Sequence, residues 1–174
     1  MAGRVTTILK TERLTIRRLE LDDAAFILQL LNEPPFIENI ADKGVRTLED
    51  AKSYLRDVPL ASYARHGFGL WRLGLKAGDV SIGIAGILKR DTMDDIELGY
   101  ALLTEYWGRG YALEAATGVM AYARQQPGLD RIAAVVHPTN AASIVLLEKL
   151  CFEYERMVRL AEGEAEIKLF ASTA

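Results

Sequence analysis

The residues best suited to chemistry stand together at Tyr106-Trp107-Gly108-Arg109-Gly110-Tyr111-Ala112, between an expected strand and an expected helix. Two glycines flanking one residue allow a tight turn and leave main-chain N–H groups unobstructed. The helix that follows adds free N–H groups and the positive end of its dipole. Arg109 adds a permanent cation. Such a bend suits a phosphate or pyrophosphate. A plain glycine turn with no ligand explains the same residues. A dinucleotide fingerprint wants a third small residue where Leu113 stands, and an acidic residue at the end of the next strand. Asp130 has the spacing but precedes that strand. No G-x-x-x-x-G-K-[ST] run occurs, which removes the P-loop.

Glu97 shares a strand face with Gly99 and Ala101, whose small side chains leave room nearby. A carboxylate there suits a general base, directly or through water. An outward strand glutamate, or one paired with an arginine, is the competing reading. His137, between a strand and Pro138, is a second base candidate or a turn histidine. Cys151 is the single cysteine and His66 and His137 are the two histidines. Disulfides and multi-cysteine zinc sites are thereby excluded, and no metal is expected. Cys151 itself reads as a small buried side chain.

The elements that must hold these groups follow from periodicity. Leu14 to Arg17 alternates as a strand, and Asp22-Asp23 opens a helix carrying Phe26, Ile27, Leu30 and Leu31. Asn32-Glu33-Pro34-Pro35 should stop that helix. Thr47 caps a helix from Leu48 to Val58, with Asp50 as capping-box partner and Pro59 just beyond. Strands are expected over Phe68–Lys76, Val80–Leu88 and Ile96–Leu103. A helix runs from Tyr111 to Arg124, and a buried strand from Ile132 to Val136. Asn140 caps a helix reaching about Leu150, and two strands close the chain near Glu153–Leu160 and Glu164–Phe170. Three strands in a row imply a meander, and Ile96 to Val136 implies one parallel pair with a right-handed crossover. The fold class is mixed α/β (α+β): a twisted, mostly antiparallel sheet of about 6–7 strands with about 4 helices, in a single domain over 1–174.

Composition bounds the function. The 174 residues are 50% apolar and 26% charged with net charge −3, the profile of a globular domain with no bulk basic surface for nucleic acid. No apolar run nears the ~20 residues of a membrane span, and the first residues lack a signal-peptide core. The default expectation is a cytoplasmic protein.

Three stretches resemble the GNAT acetyltransferase superfamily, and its RimJ/RimL-type branch in particular. Gly110 and Ala112 fill the last two places of [QR]-x-x-G-x-[GA]. Trp107 departs from the usual Gln or Arg, but Trp-Gly-x-Gly-Tyr-Ala is the form common in that branch. Thr11-Glu12-Arg13-Leu14-Thr15-Ile16-Arg17 with Asp23 resembles its opening strand and helix. Asn140-Ala141-Ala142-Ser143 followed by Leu147-Glu148-Lys149-Leu150-Cys151-Phe152 resembles its N-x-x-S…LEKLGF segment. The likeness runs from about Thr11 to Phe152.

The resemblance implies acetyl-CoA as co-substrate. Its pyrophosphate would lie on the amides of Trp107, Gly108, Arg109, Gly110, Tyr111 and Ala112. Its pantetheine arm would pair with backbone near Leu102 and Leu103, and Asn140 would contact that arm. An amine attacks the thioester directly, with a backbone N–H near Leu102 stabilising the oxyanion. Many members carry an acid tyrosine where Leu147 stands here. Ser143 is the substitute the branch suggests, or only a helix hydroxyl bonding a carbonyl. At pH 7 an α-amine of pKa ~8 needs about 1 kcal/mol to deprotonate, whereas lysine at ~10.4 needs roughly 4.6. The implied acceptor is a protein or peptide N-terminal α-amine, as in the branch's ribosomal-protein enzymes. A small-molecule amine or antibiotic is the alternative, and a non-catalytic acyl-CoA-binding module the alternative of another class. In the family the segment Asp22–Tyr63 shapes the acceptor side; Phe36, Tyr54, Tyr63, Phe68 and Trp71 are pocket candidates or core. Dimers are common among relatives, and a homodimer is compatible with these residues. Neither a membrane nor a nucleic-acid partner is expected.

Overall fold

A computed structural model of the chain describes residues 5–173. An antiparallel meander comes first: β1 (Thr7–Lys10), β2 (Leu14–Arg18), β3 (Leu70–Leu75), β4 (Ser81–Lys89) and β5 (Ile96–Leu102). The crossover helix α5 (Tyr111–Ala123) then carries the chain to β6 (Arg131–Val136), which lies parallel to β5. After α6 (Ala141–Lys149), the hairpin of β7 (Glu153–Val158) and β8 (Ile167–Thr173) returns antiparallel, with β8 inserted beside β6. The sheet therefore reads β1-β2-β3-β4-β5-β6-β8-β7. The strand beyond the expected set is β1, which pairs Thr7 with Arg17 and Lys10 with Thr15. Four residues are too few for a period-2 pattern to stand out.

Helices cover both faces. The Ala115, Ala116, Val119, Met120 and Ala123 stripe of α5 packs with Leu147 of α6 against Leu98, Leu102 and Ile132. On the other face α1 (Ala24–Leu31) and α3 (Leu48–Leu55) bury Ile27, Leu30, Leu31, Ala51 and Leu55 with Ile84 and Leu103. Of the candidate aromatic residues, Phe36, Tyr63 and Trp71 are core, and Tyr54 and Phe68 are half-buried.

One expectation about proline holds and one needs correction. The first helix ends at Leu31 as expected, and Pro34 and Pro35 then open a further short helix, α2 (Pro34–Asn39). Proline has no N–H to lose at a helix start, and its fixed φ is already helical. The Thr47–Asp50 capping box forms reciprocally, yet Pro59 does not terminate the helix it opens. A π-turn over Arg56–Leu60 passes through Pro59 into α4 (Ala61–His66). The wider turn accommodates the donor that proline lacks.

Candidate active site

The parallel strands β5 and β6 pair at Ile96–Ile132 and Glu97–Ala133, then part. A wedge-shaped gap opens towards their C-terminal ends. Its β5 wall has a definite polarity. Leu103 N–H donates to Ile82 O at 2.9 Å, and Leu102 stands directly opposite Gly83. Bonded and non-bonded pairs alternate in an antiparallel ladder. Leu98, Tyr100 and Leu102 therefore turn their main-chain N–H and C=O groups away from β4 and towards the gap. Leu103 leaves the expected pantetheine pair, because its amide is spent on β4. Leu102 remains, with its carbonyl accepting from Trp107 Nε1 at 3.0 Å.

The glycine loop lies at the open end. Trp107 N–H donates to Thr104 O, so the expected run of free amides starts at Gly108 rather than Trp107. Among the described residues no acceptor takes the amides of Gly108, Arg109, Gly110, Tyr111 or Ala112. The first turn of α5 leaves its N–H groups to whatever lies in front of it. Gly110 caps that helix at φ 80°, in the left-handed region that a side chain adopts only at a cost. No heavy atom lies within 4 Å of a Cβ built on Gly108.

A buttress missed from sequence holds the loop from behind. Glu114, in the first turn of α5, accepts from Thr11 Oγ1 at 2.5 Å, Arg13 N–H at 2.7 Å and Arg13 Nε at 2.7 Å. Arg13 Nη1 reaches on to Arg109 O at 2.9 Å, and its guanidinium sits 4.3 Å over the Tyr111 ring. Arg109 itself is exposed, 5.7 Å over the Tyr106 ring. Burial alone would raise the Glu114 carboxyl, but these donors outweigh it and hold it below the ordinary range. The Thr-Glu-Arg-Leu stretch carried the signal, although its partner could not be read from spacing.

Glu97 sits at the closed end of the gap, 1% exposed. Its Oε2 accepts from Arg90 Nε at 2.6 Å, the arginine pairing weighed as the competing reading. Burial pushes its carboxyl above the ordinary value, and Arg90 pulls it partly back. Glu97 lies about 16 Å along the strand from Leu102. It faces the α1–α3 side, as do Ala101 and Leu103.

The other face carries Ser143. Asn140 Oδ1 accepts from Ser143 N–H at 3.2 Å, so Asn140 is the N-cap of α6. Its Nδ2 group has no partner among the described residues. Tyr100, half-buried on the same face of β5 as Leu98 and Leu102, packs with Ile144 of α6 against the core cluster. Leu147 is buried in the core. His137 Nδ1 lies 2.8 Å from Thr139 Oγ1 in the turn that enters α6. Cys151 corrects its expectation: it is exposed, with φ 63°. No cluster of potential metal ligands occurs among the described residues.

The site is thus a mixed sheet with one splayed parallel pair, a glycine loop at the open end and a buried carboxylate at the closed end. The acetyltransferase (GNAT) domain model matches residues 13–153, and the chain belongs to that family. By that membership it is an N-acetyltransferase. The uncharacterized N-acetyltransferase p20 of Bacillus licheniformis is 34% identical over 155 residues, spanning 87% of this chain and 85% of p20. An acetyltransferase structure from Agrobacterium tumefaciens superposes with TM-score 0.80 at 23% identity, covering 100% of this chain and 96% of that one. RimL, a ribosomal L7/L12 α-N-protein acetyltransferase solved with coenzyme A, gives 0.79 at 16%, covering 98% of each chain. At these identities the two structures speak for the fold. No helix of the described residues is long and apolar enough to cross a membrane.

Proposed function

We propose that the protein transfers acetyl from acetyl-CoA to the α-amine of a peptide or protein N-terminus. The observation that carries this is the β5–β6 gap, whose main-chain edge is unpaired beyond Glu97. An extended amide-bearing chain adds to such an edge as a further strand would. The pantetheine arm has that character, and the Leu102 and Tyr100 backbone groups match it. A diphosphate fits the loop, where the amides from Gly108 to Ala112 are unspent and the space over Gly108 is open. Asn140 Nδ2 supplies one more donor beside the arm.

The chain's own groups divide the work by face. Glu97 and Ser143 address the gap from opposite sides of the sheet. The acceptor enters from the α1–α3 side, and Glu97, too far along the strand from Leu102 for direct contact, takes through bridging water the proton that the amine loses on becoming an amide. The raised carboxyl is a better base for this near neutral pH than an ordinary glutamate. The Leu102 N–H donates to the carbonyl oxygen as its charge develops. On the far side, Ser143 donates a hydrogen bond to the departing sulfur. An α-amine suits one carboxylate base, since its deprotonation costs about 1 kcal/mol at pH 7. The likeness to RimL supports the same acceptor class.

The test is thiol release from acetyl-CoA with N-terminally free peptides, their blocked counterparts and small amines, followed by mass spectrometry. Acetylated free peptides with blocked ones unchanged is the expected result. Turnover of small amines alone would overturn the acceptor class. Tight CoA binding with no turnover would favour the binding module.

A further inference from the structure

Of the two tryptophans, Trp71 is fully buried and Trp107 is 51% exposed. A lone exposed apolar residue is ordinary on a protein surface, but this one is fixed in place. Its main-chain N–H donates to Thr104 O at 3.1 Å, closing the short turn Thr104–Tyr106. Glu33, just before α2, holds that turn by accepting from Thr104 N–H at 2.8 Å. The indole Nε1–H donates to Leu102 O at 3.0 Å. Leu102 turns that carbonyl away from β4, because Leu103 N–H takes Ile82 O and bonded pairs alternate along the ladder. The indole thus meets Leu102 from the gap side. It lies at the open end, between β5 and the unspent amides that begin at Gly108. Its one polar atom is spent, so the ring surface left to water offers only apolar and π contact.

We propose that the Trp107 indole is a cofactor-contact residue: it forms the wall of the gap on which the pantetheine arm packs its dimethyl-substituted carbon. The proposal rests on the acetyl-transfer reading above. A chain that leaves a diphosphate on the Gly108–Ala112 amides and pairs with β5 at Leu102 must pass Trp107, which stands between the two. In coenzyme A that stretch is the apolar part of the arm, a quaternary carbon with two methyl groups ahead of the first amide. The indole matches it in chemistry and is held before the arm arrives, so little ordering is left to the binding step. The Leu102 carbonyl has two lone pairs and can keep the indole bond while an amide of the arm approaches. The tryptophan in the place of the usual Gln or Arg thereby trades a polar side chain for an apolar wall.

The test compares CoA with adenosine 3′,5′-bisphosphate, which has the nucleotide but lacks the arm. By isothermal titration, Trp107→Ala should weaken CoA about tenfold and leave the bisphosphate within about twofold. Trp107→Phe keeps a ring without the N–H and should fall between wild type and Trp107→Ala. Fluorescence gives a second readout in the unaltered protein. Acrylamide should quench the exposed Trp107 and spare the buried Trp71. Saturating CoA should shield Trp107, the bisphosphate should not, and Trp107→Phe should show no CoA-dependent shielding. Tighter CoA binding by either variant would mark the indole as a plug and overturn the proposal. Equal losses for both ligands would reduce Trp107 to a support of the loop, and full quenching under saturating CoA would remove the contact; each overturns it. A wild type that binds no CoA would sink the acetyl-transfer reading and this one together, whereas CoA bound with Trp107 still quenched sinks this one alone.

Discussion

Arg13 Nε and Glu114 Oε2 stand 2.7 Å apart although 101 residues separate them in the chain. This pair fastens the turn between the first two strands to the opening turn of the crossover helix. Arg13 also grips the carbonyl of Arg109, so the glycine loop is held from outside itself. Pre-set amides need no ordering when a diphosphate arrives.

Glu114→Gln should therefore cost about 2 kcal/mol of stability, since a carboxylate accepting several donors becomes a weaker neutral acceptor. CoA affinity should fall with it. The sign with pH follows from the lowered carboxyl. Its contribution is present above the ordinary value of 4.5 and is lost as pH falls through the depressed folded value. Denaturant melts of wild type and variant should differ at pH 7 and converge in acid. A gap that widens in acid would refute the assignment.

Gly110→Asp brings a side chain to φ 80° with its Cβ 3.4 Å from Arg13 Nη2, where a carboxylate competes with Glu114 and Arg109 O for that guanidinium and adds negative charge to the loop. The strain is about 1–2 kcal/mol, small enough to leave a folded protein. The charge should reduce CoA affinity at least tenfold, as isothermal titration would read. Gly110→Ala carries the strain without the charge, and should bind more tightly than the aspartate variant. Equal affinity for wild type and Gly110→Asp would remove the loop from the site.

Glu97 must be ionised to accept a proton, so kcat/KM should fall on the acid side with a limb above the ordinary carboxylate value of 4.5. Glu97→Gln should abolish that limb and lower kcat roughly a hundredfold or more. Arg90→Gln removes the cation that pulls the carboxyl down, so the limb should move to higher pH. A limb that stays in place in both variants would assign Glu97 to structure alone.

Cys151 closes α6 in a Schellman turn. Its N–H reaches Glu148 O at 3.0 Å, and Phe152 N–H reaches Leu147 O at 3.0 Å. The cysteine bears the left-handed conformation that glycine adopts freely. Cys151→Gly should raise stability by about 1 kcal/mol, visible as a higher Tm. The thiol is exposed and should react with a maleimide in the native protein; protection would contradict its placement.

Much of this was legible beforehand. The Thr47 box, the Asn140 cap and the α5 stripe all read directly, because each depends on neighbours within a few residues. Pro34 and Pro35 ended the first helix as read, but Pro59 misled: a local rule for proline is sound in α-helix interiors, and this one sits in a π-turn.

The sequence by itself determined the helix caps, the turn glycines and the alternation that sends Glu97 and Tyr100 to opposite faces of one strand. Tertiary structure decided that β5 and β6 separate after Glu97, that Leu103 spends its amide on Ile82 while Leu102 keeps its own, and that Arg13 finds Glu114. Caps and periodicity act over one or two turns of chain. Strand register and splay are set by long-range pairing and by helices packing on both faces, which local residue types do not encode.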